Sequence, residues 1–286
     1  MPRNLLLLLA LTVGFSGGNP AYSQSRQAPP AVVMPSPFTY ADIADLATIA
    51  PLVVDARIRK ATMLPPERAS GIAPGLARIY VEADVTALIR GSAPLAPRIA
   101  WLVDLPRDAK GRPPKLAKLR VLVFARPVST AQVALVSPDA QLAWDVSTDA
   151  LVRRVLTEVV QPGAPARVTG IAKGFHQPGA LPGEGESQFF VETEAGDPVT
   201  LSVLRSPGAA PRWAVAFGEI VDGTAMVPAR DTLGWYRLAC GLPRDAPSAR
   251  FAANDDAERA VAAADYRFII SQLGDCRRTR TPPPPR

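Results

Sequence analysis

Ile79-Tyr80-Val81-Glu82-Ala83-Asp84-Val85-Thr86 puts an apolar side chain at each odd position and a polar or amphipathic one between. Side chains of an extended chain point to alternate faces, so this stretch reads as a strand with one dry and one wet face. That is the pattern of an antiparallel sheet. The same period recurs on both sides. Val54, Ala56 and Ile58 alternate with Asp55, Arg57 and Arg59, and Ile99, Trp101 and Val103 form a third run. Residues 119–124 give a fourth strand and 132–136 a fifth, separated by Pro/Gly-containing segments at 63–76 and 108–114. Four or five strands within about 90 residues fit a small OB-like barrel.

Other periods mark the helices. Thr39 with Asp42 three residues on is a capping-box pattern, followed by Ile43, Leu46 and Ala47 on one face. Over 145–160 the spacing of Leu151, Val155 and Val159 is helical, with Ser147 or Thr148 as cap and Pro162, Gly163 and Pro165 as the stop. This helix reads as a connector between two halves. Beyond it, 188–194, 199–205 and 213–221 read as a three-stranded meander with turns at 195–198 and 206–211. Asn254 is the expected cap of a last helix, with Ala257, Val261, Ala264, Phe268 and Leu273 on one face and Gly274 at its end. The expected fold is mainly β with flanking helices, an α+β chain. Its expected parts are an N-terminal β-rich domain over 39–145, a connecting helix and linker over 146–165, and a β-meander with its helix over 166–276.

The first residues carry an address. Arg3 precedes eleven residues, Leu5 to Phe15, in which Thr12 is the one clearly polar side chain. Gly17, Gly18, Asn19 and Pro20 break any helix, and Ala21-Tyr22-Ser23 supplies small residues at the two positions that matter for cleavage before Gln24. This is the tripartite pattern of a secretory signal peptide over 1–23, too short to span a bilayer. A flexible lead over 24–38 follows. Ala, Arg and Pro in place of Lys and Asn fit a GC-rich bacterial coding sequence, so the expected destination is the periplasm or beyond. In an oxidising compartment the only two cysteines, Cys240 and Cys276, are expected to pair. Closing such a loop stabilises by about 3–4 kcal/mol in the chain-entropy model. The bond would clamp the last helix to the body.

Composition removes several function classes. The formal charge is +6, but Arg3 and the four arginines after Cys276 leave 27 basic residues against 26 acids. With no basic run interleaved with aromatics on the body, nucleic acid is not an expected partner. The 277–286 segment, ending in four prolines and an arginine, reads as a disordered basic extension. No later stretch is apolar enough for a membrane span. One histidine, His176, rules out histidine-rich zinc sites, and there is no G-x-S-x-G elbow, P-loop or dinucleotide fingerprint. Glu184 and Glu186 share a glycine-flanked loop without the regular oxygen spacing of a calcium loop, so solvated acids are expected there. No cofactor and no metal is expected. Trp101, Trp144, Trp213 and Trp235 are expected in the core.

One local stretch resembles a known family. Gly185-Glu186-Ser187-Gln188-Phe189-Phe190, then Trp213, then Ala216-Phe217-Gly218-Glu219-Ile220-Val221-Asp222-Gly223 resembles part of the cyclophilin pattern of peptidyl-prolyl isomerases. The resemblance implies that Gln188, Phe190 and Trp213 line a proline pocket. The sequence departs from the family in two ways. Phe175-His176 is followed by Gln177 where an arginine is required, and an extra strand at 199–205 separates the matching pieces. The candidate ligand-binding set is therefore His176, Glu184, Glu186, Gln188, Phe190 and Trp213, with 177–185 as the lip of a pocket. The expected function is a non-enzymatic envelope protein that binds an unnamed partner or ligand through a β surface. A divergent or inactive isomerase is the alternative.

Overall fold

The computed structural model describes residues 36–92, 94–218 and 226–280. The expected signal peptide, most of the expected lead, the end of the strand expected at 213–221 and residues 281–286 lie outside the described residues. Helix α1 (Tyr40–Ile49) starts at the Thr39 capping box, in which each residue's side chain receives the other's backbone N–H. Six strands follow: β1 (Leu52–Met63), β2 (Leu76–Arg90), β3 (Arg98–Pro106), β4 (Arg120–Pro127), β5 (Val133–Leu135) and β6 (Gln141–Ala143). Their order is β3-β2-β1-β4-β5, with β6 also on β4. The sheet curls until Ala100 of β3 meets Gln132 just before β5 in a parallel bridge. The N–H groups of Ala96 and Ala100 donate to Thr130 O and Ala131 O at 2.7 and 2.9 Å. The result is a nearly closed barrel. The inward side chains fill it, among them Ile58, Ile79, Val81, Ile99, Val123 and Trp101. Trp101 is 2% exposed and its indole N–H finds Gln141 Oε1 at 2.8 Å. Register shifts along β1 against β2 mark the bulges that let so small a sheet bend.

Helix α2 (Val146–Val159) is capped by Asp145, whose carboxylate receives the Thr148 N–H at 2.9 Å. The expected caps, Ser147 and Thr148, instead donate their hydroxyls to that carboxylate. An ionised acceptor at the positive helix end outcompetes a hydroxyl. The second sheet holds β7 (Val168–Pro178), β8 (Gly185–Thr193), β9 (Val199–Arg205), β10 (Arg212–Phe217) and the short β11 (Phe251–Ala252). Its order is β10-β9-β8-β7-β11, with β11 parallel to β7. The expected meander, β8 to β10, is therefore one side of a wider sheet that continues through β7 to β11. Between β10 and β11 lies α3 (Leu233–Gly241), and α4 (Asp256–Leu273) ends the fold.

Two readings of α4 are corrected. Its cap is Asp255, which receives the Glu258 N–H at 2.8 Å, not Asn254. Its buried face is Ala262, Asp265, Tyr266, Ile269 and Leu273, whereas Ala257 and Ala264 are exposed. The face is turned because a carboxylate, Asp265, belongs to the interior. Nor is α2 a spacer. It packs with α1 and α3 in a helical layer between the barrel and the second sheet. One apolar cluster runs from Val53, Leu122 and Phe124 on the barrel wall, through Leu46, Val155 and Leu238, to Phe189 and Leu201 on the second sheet. Each such buried side chain stabilises by roughly 1.5–3 kcal/mol.

Cys240 and Cys276 form a disulfide with Cα atoms 5.2 Å apart, joining the end of α3 to the short segment just past the end of α4. Beyond it the chain is held to the body as far as Arg280. Arg278 grips Asp45 through Nε and Nη2 at 2.6 and 3.0 Å. Thr279 and Arg280 give Asp42 two backbone N–H bonds and a hydroxyl bond, and the Arg280 guanidinium reaches Asp139 at 2.6 Å. The expected solvated extension is thus docked on α1 as far as Arg280, because buried Asp42 and partly buried Asp45 on α1, with Asp139 in the β5–β6 turn, receive it. No described helix is long and apolar enough to cross a membrane.

Candidate functional site

The second sheet sorts the candidate residues by parity. On β8, Ser187, Phe189 and Val191 face the helices, while Glu186, Gln188 and Phe190 face outward. Val203 pairs with both Ser187 and Trp213, so Trp213 lies in the inward row, where it is 8% exposed. Gln188 and Phe190 are on the other side of the sheet. Gln188 Nε2 donates to Glu186 Oε1 at 2.9 Å, and Phe190 packs near Phe175 with the Lys173 ammonium 4.9 Å from its centroid. The three residues that the cyclophilin resemblance groups in one pocket are thus divided by the sheet itself.

His176 has different company. Its Nδ1 is 3.0 Å from Ser187 Oγ, and Ser187 Oγ is 2.6 Å from Asp265 Oδ2. Arg205 Nε and Nη2 bind Asp265 Oδ1. Ser187 and Asp265 are fully buried, so this chain of polar groups is closed off from water on its inner side. A histidine, a serine and an aspartate are together, but not in the order of an acyl-transfer triad. A nucleophilic serine donates to the imidazole and the carboxylate orients the other ring nitrogen. Here the hydroxyl sits in the middle and is spent on the carboxylate.

A concave pocket of about 440 Å³ opens over His176. Residues 178–184 form its lip, with Arg205 and Val261 completing the wall. It brings together His176 and Glu184 from the expected set, but not Glu186, Gln188, Phe190 or Trp213. Two glycines shape it. A Cβ on Gly185 would lie 2.6 Å from His176 Cε1, and one on Gly179 would lie 2.4 Å from Glu184 Cγ. Both side chains therefore rest against bare backbone.

No family model matches the chain. No curated protein matches it either. Function has to come from the surface itself, and a second surface is larger.

A groove of about 1140 Å³ crosses the outer face of β1, β2 and β3 and runs into β5. Register sets out its floor in rows. Thr62, Tyr80 and Leu102 are cross-strand neighbours, and so are Lys60, Glu82 and Ala100. Arg78 lies opposite Asp104 and holds it through Nε and Nη2 at 2.8 and 2.7 Å. That bond pushes the guanidinium pKa up further. Leu64 and Arg68 lie at one end of the groove, Val128 and residues 132–138 at the other. Leu102 is 47% and Val128 64% exposed. Lys60, Arg68 and Glu82 form no ion pair among the described residues.

The groove lies where the barrel fails to close. Among the described residues no strand pairs with β3 on its outer edge beyond Ala100. The Ala100 N–H points to that edge, since it donates to Ala131 O. By the two-residue period of a strand, the N–H groups of Leu102 and Asp104 point the same way. Sequence reasoning placed these strands but not the site, because an open seam depends on where β5 diverges. The legible signal was Leu102, an apolar residue at a wet-face position. For the buried network it was Ser187, a polar residue at a dry-face position.

Proposed function

We propose that the protein is exported to the bacterial cell envelope and there binds an extended polypeptide segment of an envelope partner, without catalysing a reaction. The open seam of the barrel carries this reading. Unpaired N–H groups of an edge strand, beside exposed Leu102 and half-buried Tyr80, are the features that accept an added strand. Backbone pairing would supply affinity, and Lys60, Arg68 and Glu82 would select the partner's side chains. Barrels of this OB-like type bind ligands across the same strands, which is an analogy of fold alone. The secretory pattern of residues 1–23 and the disulfide support the compartment.

Leu102→Pro tests it. Proline removes the N–H aimed at the seam while leaving the β2 ladder intact, a position where an edge strand tolerates it. Peptides selected from a displayed library against the wild-type chain should bind this variant at least about tenfold more weakly. They should bind Leu102→Ala better than Leu102→Pro. Equal binding to both would exclude edge pairing. Isomerisation of a proline peptide that is lost in Phe190→Ala would favour the isomerase alternative instead. For export, the mature N-terminus in a periplasmic fraction should be Gln24, and an uncut chain in the cytoplasm would contradict it.

A further inference from the structure

The pocket over His176 stands apart from the groove, and proton accounting defines what it offers. Ser187 has one hydroxyl proton, and the Asp265 carboxylate can only accept. That proton therefore goes to Asp265, so the 3.0 Å contact between Ser187 Oγ and His176 Nδ1 needs a proton on Nδ1. In the neutral ring Nε2 is then a bare acceptor, fixed as such by its partner's needs. Nε2 makes no hydrogen bond among the described residues, and His176 lines the pocket. Glu184 spends Oε2 on the Leu181 N–H at 3.1 Å, leaving Oε1. Arg205 uses Nε and Nη2 on Asp265 and keeps Nη1, with its side chain 32% exposed. Leu181, Pro182 and Val261 add apolar wall.

The pocket thus presents one cationic donor and two acceptors, one of them an anion. A simple anion would meet Glu184, and a simple cation would meet Arg205. A molecule carrying both an ammonium and a carboxylate satisfies all three groups. We propose that this pocket binds a free α-amino acid, its carboxylate on Arg205 and its ammonium between Glu184 and His176 Nε2. The volume suits a small ligand. Gly179 and Gly185 then have a purpose, since they allow both acceptors to lie against the backbone at the rim.

His176 is the only histidine, so ring-nitrogen NMR of the full chain labelled with ¹⁵N-histidine reports this site alone. At about pH 8 the free protein should show a proton on Nδ1 and none on Nε2. Titration with L-leucine or L-alanine to about 10 mM should shift the Nε2 resonance to saturation. N-acetylleucine, which lacks the ammonium, and isoamylamine, which lacks the carboxylate, should not. Glu184→Gln, in the loop, should weaken the amino-acid response about tenfold without changing the tautomer. A proton on Nε2, no response to either amino acid, or an equal response to N-acetylleucine would each overturn the proposal. Failure here leaves peptide binding at the seam untouched, and loss of seam binding in Leu102→Pro leaves this titration unchanged.

Discussion

The barrel curls on itself and fills its interior from its own strands, whereas the second sheet stays open and depends on what is laid over it. Trp101, Ile79 and Val123 meet one another inside the first sheet. Phe189, Leu201 and Val203 of the second need α3 and α4 to be covered at all. The polar groups differ in the same way. Around the barrel, Arg78–Asp104 and Arg59–Asp84 lie on the wet face, where such pairs contribute little. In the second sheet, Asp265 and Ser187 are fully buried beneath the covering helix. Near-closure lets the barrel leave an outer face uncovered. Openness makes the second sheet a place where a cover, a polar network and a clamp must agree.

Removing the network should divide the two regions most. Asp265→Ala leaves Ser187 and Arg205 without their acceptor and should cost about 4 kcal/mol, reduced to the extent that Arg205 reaches water. Urea unfolding measures it, and a loss below about 1 kcal/mol would mean the network is not a structural element of the sheet. Asp265→Asn, which keeps an acceptor for Ser187, should cost less. Breaking the clamp comes next. Cys276→Ser should cost about 3 kcal/mol in the chain-entropy model. The change should appear as faster proteolysis and amide exchange in 256–280, with barrel amides unchanged. Equal resistance of that segment with and without reductant would contradict the clamp.

Acid should act more gently and at one place. Burial works to raise the pKa of Asp42, but hydrogen bonds from Thr279, Arg280 and Thr39 outweigh it and hold the carboxyl below its usual range. Asp139 is likewise held low, burial opposing and Arg280 and Ser137 prevailing. A depressed folded pKa stabilises fully above the ordinary carboxylate range, near pH 4, and that stabilisation is lost as pH falls through the folded value. Below about pH 4 the amides of Thr279 and Arg280 should lose exchange protection before those of β2 or β8. Simultaneous loss everywhere would show that the docked segment is not a separate unit.

The sequence disclosed these regions unevenly, for physical reasons. Strands with one wet face betray themselves by alternation, so β1 to β5 and the meander were readable within a few residues. The three-residue β6 and two-residue β11 are too short to have a period. The α4 face was misjudged because Asp265 sits where periodicity expects an apolar side chain, and its partners Ser187 and Arg205 are 78 and 60 residues away. His176 and Glu184 were legible as polar groups at a Gly/Pro segment, although His176 belongs to β7 and only Glu184 to the loop. Their partnership with Arg205 was not, since β9 must fold beside β8 to create it.

The docked segment has one more consequence. Thr279 Oγ1 donates to Pro37 O at 3.2 Å, and Thr39 Oγ1 to Arg277 O at 2.9 Å. The first and last described residues therefore leave the body at a single corner, stitched across α1. Topologically the fold is almost a ring. A circular permutant, joined across this corner by a short linker and reopened in the exposed turn at 108–112, should keep both sheets. Partners fused before residue 36 and after residue 280 would therefore be attached at neighbouring points of the body.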